Sequence, residues 1–408
     1  MRKPHIVILG AGYGGLITNK RLEKLLRSGE ASVTLINKHS YHYITTQLHK
    51  VGAGTASDRK IALSIPELIN NSKTRFMIDT VSDVDTESKT VALESGEEVS
   101  YDYLVIALGF EVATFGIPGI KDHAFEIRSF RSSKAIYQQI TRQLSLYKED
   151  KDPSRLTFAV AGGGFTGIEM LGELAEGLPK LCEEYGVPFE NVKIIGIEAA
   201  DSLIPFFGED LISYTSHLME TYNIDIYTST KINSCTEKAI RLENGLEIPC
   251  WTLIWSCGVR ANSLLEKFGL PLVKGKVPVE KTLQVKGMEN IFCIGDCALF
   301  MKDEKSALPP TAQVAMQEAE VCGKNIASLI RGTKLKEFEY HHKGSVASIG
   351  DRAAVGKVGS FTLSGRFAAM MKRVIENRYL FVLGGLSLVI KQTLFLKRDP
   401  LNVSVKQH

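Results

Sequence analysis

The chain has 408 residues, of which 44% are hydrophobic and 23% charged, a balance that excludes a disordered, fibrous or low-complexity protein. The formal net charge of +3 is too small by itself to indicate nucleic-acid binding, and the length predicts two or three domains. All seven cysteines lie at or beyond Cys182, and none has CxxC spacing. We therefore expect free thiols in a reducing compartment rather than disulfides or a metal site.

The first predicted unit is a strand, a glycine-rich turn and a helix. The segment HIVILGAGYGG at 5–15 ends a β-branched run with GxGxxG spacing, formed by Gly10, Gly12 and Gly15. A helix is predicted from about 14 to 28, and a second strand, VTLIN, at 33–37. Glycines in this setting allow a tight turn and the close approach of a pyrophosphate, so we expect a dinucleotide site. Asn37 ends the second strand and can hydrogen bond a ribose.

The same pattern recurs in the middle of the chain. The segment TFAVAGGGFTG at 157–167 repeats the spacing with Gly162, Gly164 and Gly167. A helix is predicted over 166–185 and a strand over 192–198, which ends in Glu198. A carboxylate there binds both ribose hydroxyls and repels a 2′-phosphate, which favours NADH over NADPH. Two such units in one chain indicate a flavin and a nicotinamide nucleotide, since hydride can pass between them.

Further strands are predicted at 101–109 and 251–258, each after a short glycine-containing hairpin. The polar stretch 147–155 is predicted to be a surface linker. His42 and His49 are predicted to be structural, with no metal site. Together these elements predict an α/β fold with parallel sheets.

The last 45 residues differ in character from the rest of the chain. Residues 364–408 carry eight Lys or Arg and two acids, whereas the remainder is slightly acidic. Apolar residues at helical spacing alternate with cations, which predicts an amphipathic helix on a membrane surface. The run at 379–396 is short and contains Lys391, so it does not predict a membrane-spanning helix. A core or dimer-interface helix is the alternative.

Several segments together resemble the type II NADH:quinone oxidoreductases, which are single-subunit respiratory enzymes. The resemblance covers nearly the whole chain, and its most specific segments are GAGYGG at 10–15, YHYITTQLH at 41–49, GGGFTGIEMLGELA at 162–175, GDCALF at 295–300 and PPTAQVAMQ at 309–317. It implies two Rossmann-like domains, for FAD and NADH, and a C-terminal amphipathic membrane-associating segment. The implied domain bounds are 1–110 with 256–335 for FAD, 111–255 for NADH and 336–408 for membrane anchoring.

The resemblance also implies an activity and its site. Electrons would pass from NADH through FAD to a quinone such as menaquinone, without proton pumping, at the cytoplasmic face of the membrane. The enzyme would be peripheral and able to form a homodimer. The implied catalytic residues are Glu169, Gln313, Gln317, Lys372 and Ile375. The implied cofactor-binding residues are Gly10, Gly12, Gly15, Asn37, Lys38, Gly109, Asp296, Ala312, Gly162, Gly164, Gly167, Glu198 and Gly258.

From the residues alone, these side chains have other interpretations. Glu169 could simply favour the positive end of a helix dipole, or it could have a raised pKa and relay protons. Gln313 and Gln317 could form an exposed polar face. A sulfide:quinone oxidoreductase would need paired redox cysteines, one of them in the first half of the chain, and none precedes Cys182. A flavoprotein that senses NADH without turnover is a further alternative.

Overall fold

A computed structural model describes residues 3–395. The chain forms two compact units, each assembled from three separate stretches. The first unit comprises Met1–Tyr43, Leu63–Glu111 and Val259–His342, and the second comprises Ile44–Ala62, Val112–Gly258 and Lys343–His408.

The first unit is built on a five-stranded parallel sheet. Its strands lie in the spatial order Ile291–Cys293, Tyr103–Ile106, His5–Leu9, Ser32–Asn37 and Thr74–Ile78. Residues Ile6 to Leu9 of the central strand are fully buried, as expected when both faces of a parallel sheet are covered. The register pairs Ile8 with Leu35, so the first two strands end together beside the first glycine turn.

The first unit contains two long helices, Tyr13–Leu25 and Ala312–Ile330, which pack on each other. A Cβ at Gly323 would lie 2.9 Å from the Arg21 side chain, so the glycine permits their close approach. The smaller elements of the unit are the antiparallel strands Val81–Asp85, Thr90–Leu93 and Glu98–Ser100, the paired strands Val277–Pro278 and Ala298–Leu299, the strand Tyr41–Tyr43, the helix Ile65–Leu68, and the 3-10 turns Ser263–Lys267 and Gly295–Cys297.

The second unit repeats the plan with its own five-stranded parallel sheet. The spatial order is Phe125–Glu126, Thr252–Trp255, Thr157–Ala161, Lys193–Ile197 and Ile224–Tyr227. Every residue of the central strand is buried. The helix after the second glycine turn is Phe165–Tyr185, and the other helices are Leu48–Gly52, Asp58–Ile61, Ile120–His123, Phe130–Asp150, Glu209–Thr221 and Gly365–Phe395.

Two three-stranded antiparallel sheets complete the second unit. The first consists of Ile232–Cys235, Ala239–Leu242 and Glu247–Pro249, and the second of Ser345–Ile349, Ala353–Val358 and Phe361–Ser364. The helix Gly365–Phe395 packs on this last sheet, with Ala354, Ala368 and Ala369 buried at the contact. The helix departs from helical backbone geometry at Gly384 and Gly385. The unit also contains 3-10 turns at Thr45–Gln47, Pro153–Leu156 and Phe189–Asn191, and two short strands, Phe110–Val112 and Val259–Ala261, lie where the chain passes between the units.

The predicted α/β class, with its two parallel sheets, is confirmed, and the observed units differ from the predicted bounds in two respects. Residues 44–62 and 343–395 cluster with the second unit, because their strands and helices make their main-chain and apolar contacts there. The predicted linker at 147–155 is only partly irregular, since the helix Phe130–Asp150 runs into it. The segment 398–408 and the predicted basic end after residue 395 lie outside the described residues.

Candidate active site

The first glycine turn has the backbone geometry that a dinucleotide requires. Gly10 has a φ of +93°, and a Cβ at Gly15 would overlap the carbonyl oxygen of Gly10. Gly12 begins the helix without a side-chain cap, and no atom lies within 4 Å of where its Cβ would stand. The uncapped amide groups and the open space beside them suit a pyrophosphate.

The second glycine turn repeats these features residue by residue. Gly162 has a φ of +103°, and a Cβ at Gly167 would overlap the Gly162 carbonyl oxygen. Gly164 begins the helix Phe165–Tyr185 without a side-chain cap and with open space at its Cβ position. The structure therefore contains two equivalent phosphate cradles, one in each unit.

In each unit, the residue that follows or ends the strand after the glycine-turn helix accepts a hydrogen bond from a main-chain N–H of the glycine turn. Asn37 Oδ1 accepts a hydrogen bond from Ala11 N at 3.0 Å, and its Nδ2 donates to His39 O. Glu198 accepts from Gly163 N, and from Ala200 N at 2.6 Å. The first tip is a neutral amide and the second a carboxylate, so only the second would repel a 2′-phosphate.

The first turn has an additional support that the sequence did not indicate. The buried His42 donates from Nδ1 to Ala11 O at 2.9 Å. Burial lowers the pKa of His42 to about 4, so the imidazole is neutral at physiological pH. Both main-chain polar groups of Ala11 are therefore held by side chains.

An apolar cavity of about 350 Å³ lies in the second unit at the carboxyl ends of its parallel strands. It is lined by Ala161, Ile197 and Trp255, one from each of three strands, and by Phe115 and Cys257. Ligands of open α/β sheets bind at this edge. The cavity suits the apolar faces of a nucleotide base.

Two acids lie near the end of the first sheet, the half-buried Asp296 and the fully buried Glu318. Burial raises the pKa of Asp296, and within residues 3–395 no hydrogen bond reaches its carboxylate. Hydroxyl donors from a ribityl chain would satisfy this acid, so the residues fit the flavin that the sequence predicts. Glu318, which the sequence did not single out, is fully buried and accepts from Gly295 N at 2.6 Å. Burial raises its pKa to about 8.

The remaining predicted cofactor residues are placed as follows. Lys38 is exposed just after Asn37. Gly109 has a φ of +72°, and its carbonyl accepts hydrogen bonds from Asn262 N and Cys297 Sγ. Ala312 begins the helix Ala312–Ile330. Gly258 lies close enough to the Phe115 ring that a Cβ would stand 2.7 Å from it.

The two predicted glutamines project from the first two turns of the helix Ala312–Ile330. Gln313 Oε1 accepts from the Tyr340 hydroxyl at 3.1 Å. Gln317 bonds the main chain of His341 twice, accepting from its N–H and donating to its carbonyl. Tyr340 lies outside the sequence motifs, so sequence reasoning missed it.

Glu169 and Lys372 are separated by 203 residues and meet inside the second unit. Lys372 Nζ donates to Glu169 Oε1 at 2.7 Å and to Val346 O at 3.1 Å. Glu169 also accepts from Ser348 N at 3.2 Å, and His49 Nδ1 lies 3.4 Å from its other oxygen. All these side chains are largely buried. The pair is a buried ion pair with additional hydrogen bonds.

The charge state of Glu169 differs from the relay interpretation of the sequence, which expected a raised pKa. Burial works against ionisation, but Lys372, His49 and the Ser348 amide outweigh it, and the pKa of Glu169 is lowered. Burial also disfavours charge on Lys372, yet Glu169 outweighs it and the pKa of Lys372 is raised. Glu169 lies in the second turn of its helix, so the helix dipole is not its main partner.

A second buried acid follows one turn later on the same helix. Glu173 accepts from Thr55 Oγ1, and its other oxygen lies 4.0 Å from Lys50 Nζ. Burial raises the pKa of Glu173. His49 is likewise buried, and burial lowers its pKa to about 4. Like charges four residues apart on a helix repel mildly, and here each acid has its own cation, Lys372 for Glu169 and Lys50 for Glu173.

The helix Gly365–Phe395 exposes a series of large apolar side chains. Those exposed by two fifths or more are Phe367, Met370, Val374, Ile375, Phe381, Leu386 and Ile390. Two of the cations predicted to face lipid are instead paired with acids, Lys372 with Glu169 and Arg373 with Asp351 at 2.8 Å. Among residues 3–395, no helix combines the length and apolar content that a membrane crossing requires.

The cysteines are all free, and six of the seven are buried. Burial raises the pKa of Cys250, Cys257 and Cys297 to about 12. Such thiols are poor nucleophiles at neutral pH. The structure therefore gives no support to a mechanism based on cysteine redox chemistry.

Comparison with known proteins places this geometry in a family. Residues 4–319 match the family described as pyridine nucleotide-disulphide oxidoreductase. A type II NADH:quinone oxidoreductase of Staphylococcus aureus is 37% identical over 396 residues, covering 96% of this chain and 98% of that protein.

Two solved structures share the fold. NDH2 of Plasmodium falciparum in complex with NADH superposes with a TM-score of 0.84 at 23% identity, covering 97% of this chain and 98% of that one. The sulfide:quinone oxidoreductase of Aquifex aeolicus gives a TM-score of 0.77 at 20% identity, covering 97% and 96%. With two dinucleotide turns, a buried Glu–Lys pair and a relative of this identity over nearly its full length, the chain belongs to the type II NADH:quinone oxidoreductase family.

Proposed function

We propose that this protein transfers electrons from NADH to a quinone, with FAD as its resident cofactor. The observation that carries the proposal is the repetition of one dinucleotide cradle in both units of a single chain. Two such cradles are what an enzyme needs when it passes electrons between two bound nucleotides. The family of the chain supports the same assignment.

The second unit is the proposed NADH site. Its turn supplies uncapped amide groups at Gly164, and Glu198 stands beside it as the ribose partner. The cavity next to Trp255 and Ile197 would accept the adenine base. The negative charge of Glu198 would disfavour the extra phosphate of NADPH.

The first unit is the proposed FAD site. The turn at Gly10, Gly12 and Gly15 would hold the pyrophosphate, and Asp296 would accept from the ribityl hydroxyls. When bound, FAD supplies the ability to accept a hydride and to pass its electrons on to a quinone. The protein's own contribution is to position the reactants and to hold the charges around them.

Quinone reduction needs one more proton than NADH brings. The balanced reaction is NADH, quinone and one proton giving NAD⁺ and quinol. The buried pair of Glu169 and Lys372 can hold that proton, since Lys372 is cationic and bonded to an acceptor that stabilises it. Gln313 is the proposed hydrogen-bond partner of the quinone head.

Stopped-flow absorbance of the holoenzyme tests the proposal in two steps. NADH should bleach the flavin band, and a menaquinone analogue should restore it. A Gln313→Ala or Lys372→Ala variant should keep the first step and slow the second. Failure of NADH to bleach the bound flavin in the wild-type protein would contradict the proposed function.

We also propose that the enzyme attaches to the cytoplasmic face of the membrane as a peripheral protein. The exposed apolar series on Gly365–Phe395 and the surplus of cations beyond residue 363 support attachment. Free cysteines suit a reducing compartment, where NADH is also available. A variant in which the exposed Phe367, Met370 and Phe381 are replaced by serine should bind FAD but no longer sediment with anionic liposomes. The same apolar series could be covered by a second copy, so the homodimer is tested by light scattering with and without detergent.

A further inference from the structure

The segment 338–342 crosses the start of the helix Ala312–Ile330 in the first unit and is held at two points. Phe338 is buried, lies edge-on to Phe300 with ring centroids 5.0 Å apart, and donates its N–H to Lys281 O at 2.7 Å. Gln317 fixes the other end through two hydrogen bonds to the His341 main chain. The position of the side chains between and beside these anchors is therefore set by the fold.

Tyr340 lies between the two anchors, and its hydroxyl has two partners. It is 3.1 Å from Gln313 Oε1 and 3.1 Å from His342 Nδ1. A phenol has one proton, so it donates in one of these bonds and accepts in the other. The bond to Gln313 is the one in which Tyr340 donates, because a carboxamide oxygen can only accept. His342 then donates from Nδ1 to the phenol oxygen.

This chain of bonds fixes which way the Gln313 amide faces. Oε1 and Nε2 lie in one plane on the two branches of Cδ, so with Oε1 turned to Tyr340 the Nε2 group points away from that hydroxyl. A quinone carbonyl oxygen is a pure acceptor, so it needs that N–H₂ group as its partner. Without Tyr340, the amide could turn over and offer its oxygen, which a quinone cannot bind. Tyr340 is half-buried, and burial raises its pKa, so the hydroxyl keeps its proton.

We propose that Tyr340, oriented by His342, is a positioning residue for quinone reduction that sets the direction of the Gln313 amide. The proposal rests on the proposed function, in which Gln313 contacts the quinone head. Neither Tyr340 nor His342 needs to touch the quinone or the flavin.

The first test is Tyr340→Phe in the holoenzyme, which removes the hydroxyl and keeps the ring. Flavin reduction by NADH should be unchanged, while reoxidation by menadione should slow by about fivefold to tenfold, as expected for one lost hydrogen bond. Titration of the oxidised holoenzyme with menadione, followed by calorimetry, should show an affinity weakened by a similar factor. Tyr101→Phe, which removes a tyrosine hydroxyl that contacts Asp85 O in the same unit, should change neither rate.

A double-mutant comparison separates positioning from a general structural role. If Tyr340 acts through Gln313, then adding Tyr340→Phe to Gln313→Ala should cause no further slowing of reoxidation. Full additivity of the two effects would overturn the proposal. So would a Tyr340→Phe enzyme with wild-type reoxidation and menadione affinity.

Variants of His342 provide a rescue test. Asparagine places its amide near the position of imidazole Nδ1, so His342→Asn should preserve most of the reoxidation rate. His342→Leu should slow it, and the neighbouring His341→Leu should not. Equal slowing in all three would contradict the proposed bond chain. Absence of quinone reduction by the wild-type holoenzyme would instead overturn the proposed function, which keeps the two failures distinguishable.

Discussion

The helices that follow the two glycine turns differ at the same position. Ile17, two residues after Gly15, is an apolar core residue, whereas Glu169, two residues after Gly167, is a buried carboxylate paired with Lys372. Four residues further on, Arg21 lies against the neighbouring helix at Gly323, while Glu173 is buried beside Thr55 and Lys50.

The difference shows how one structural repeat has come to serve two purposes. The glycine turn imposes the same backbone on both helices, because its requirements are local. The first helix then packs on Ala312–Ile330, and none of its buried residues is charged. The second helix packs against the strand Ser345–Ile349, and its Glu169 bonds to Lys372 of the helix Gly365–Phe395. A dinucleotide cradle thus supports either an inert core or a buried ion pair, depending on what packs against it.

Among the variants that test this comparison, those that break the ion pair should change the free energy of unfolding most. Lys372→Met leaves Glu169 buried without its cation and should lower the free energy of unfolding by about 3–5 kcal/mol. The double replacement Glu169→Met with Lys372→Met, which makes the second helix resemble the first, should recover most of that loss while quinone reduction stays impaired. Urea denaturation of each holoprotein measures its free energy of unfolding, and stopped-flow reoxidation of the flavin measures quinone reduction. Arg373→Met is the matched control, because it breaks an exposed pair worth about 0–1 kcal/mol. Equal losses in Lys372→Met and Arg373→Met would contradict the interpretation.

Acidification should destabilise both units, because each contains a buried histidine with a lowered pKa. His42 and His49 have pKa values lowered from 6.5 to about 4 by burial, so the unfolded chain binds protons that the folded chain does not. Their stabilisation is complete above pH 6.5 and is lost as the pH falls towards 4, on the order of 3 kcal/mol for each residue. Denaturation at a series of pH values should show this slope.

Single substitutions show which histidine causes the pH dependence of the unfolding free energy. His42→Asn keeps a donor for Ala11 O. It should reduce by about one the difference in the number of protons bound by the unfolded and folded states. His49→Asn should do the same in the second unit. An unchanged slope in both variants would show that other groups carry the pH dependence.

Adding a methyl group to each turn should separate the two cofactor sites. Gly15→Ala and Gly167→Ala would each push a Cβ against a carbonyl oxygen of the same turn, at a cost of about 1–3 kcal/mol. The first variant should lose FAD on gel filtration. The second should keep FAD and lose most of its reduction by NADH. Gly208→Ala, whose Cβ would meet no atom within 4 Å, is the control. The same phenotype from both turns would mean that the two cradles are not separate sites.

The smallest effect is expected from the strand tips, where the first unit has the neutral Asn37 and the second the carboxylate of Glu198. Glu198→Gln should lower kcat/KM for NADH by about tenfold, roughly the value of one charged hydrogen bond, and narrow its advantage over NADPH. Asn37→Asp should leave the NADH-to-NADPH ratio unchanged, because it alters the other cradle. A ratio that moves with Asn37→Asp and not with Glu198→Gln would reverse the assignment of the two units.

Much of the fold could be predicted because its signals are local. Each glycine turn is a short segment whose spacing reports a backbone requirement, and the strands beside it are continuous apolar runs. Element bounds shifted by a few residues, and the helix Phe130–Asp150 extended into a predicted linker because its polar exposed face resembles a loop in composition. The identity of Gln313 and Lys372 as site residues came from resemblance to a family, since spacing alone allowed exposed polar faces.

The sequence by itself determined two nucleotide cradles, the α/β class and the carboxylate that distinguishes the second cradle, because these depend on residues within one βαβ unit. Only the tertiary structure decided that Glu169 is ionised beside Lys372, that His42 holds Ala11, and that Tyr340 orients Gln313. Those contacts join residues that lie 203, 31 and 27 positions apart. Burial and partner together set the charge and direction of a side chain, and packing supplies both.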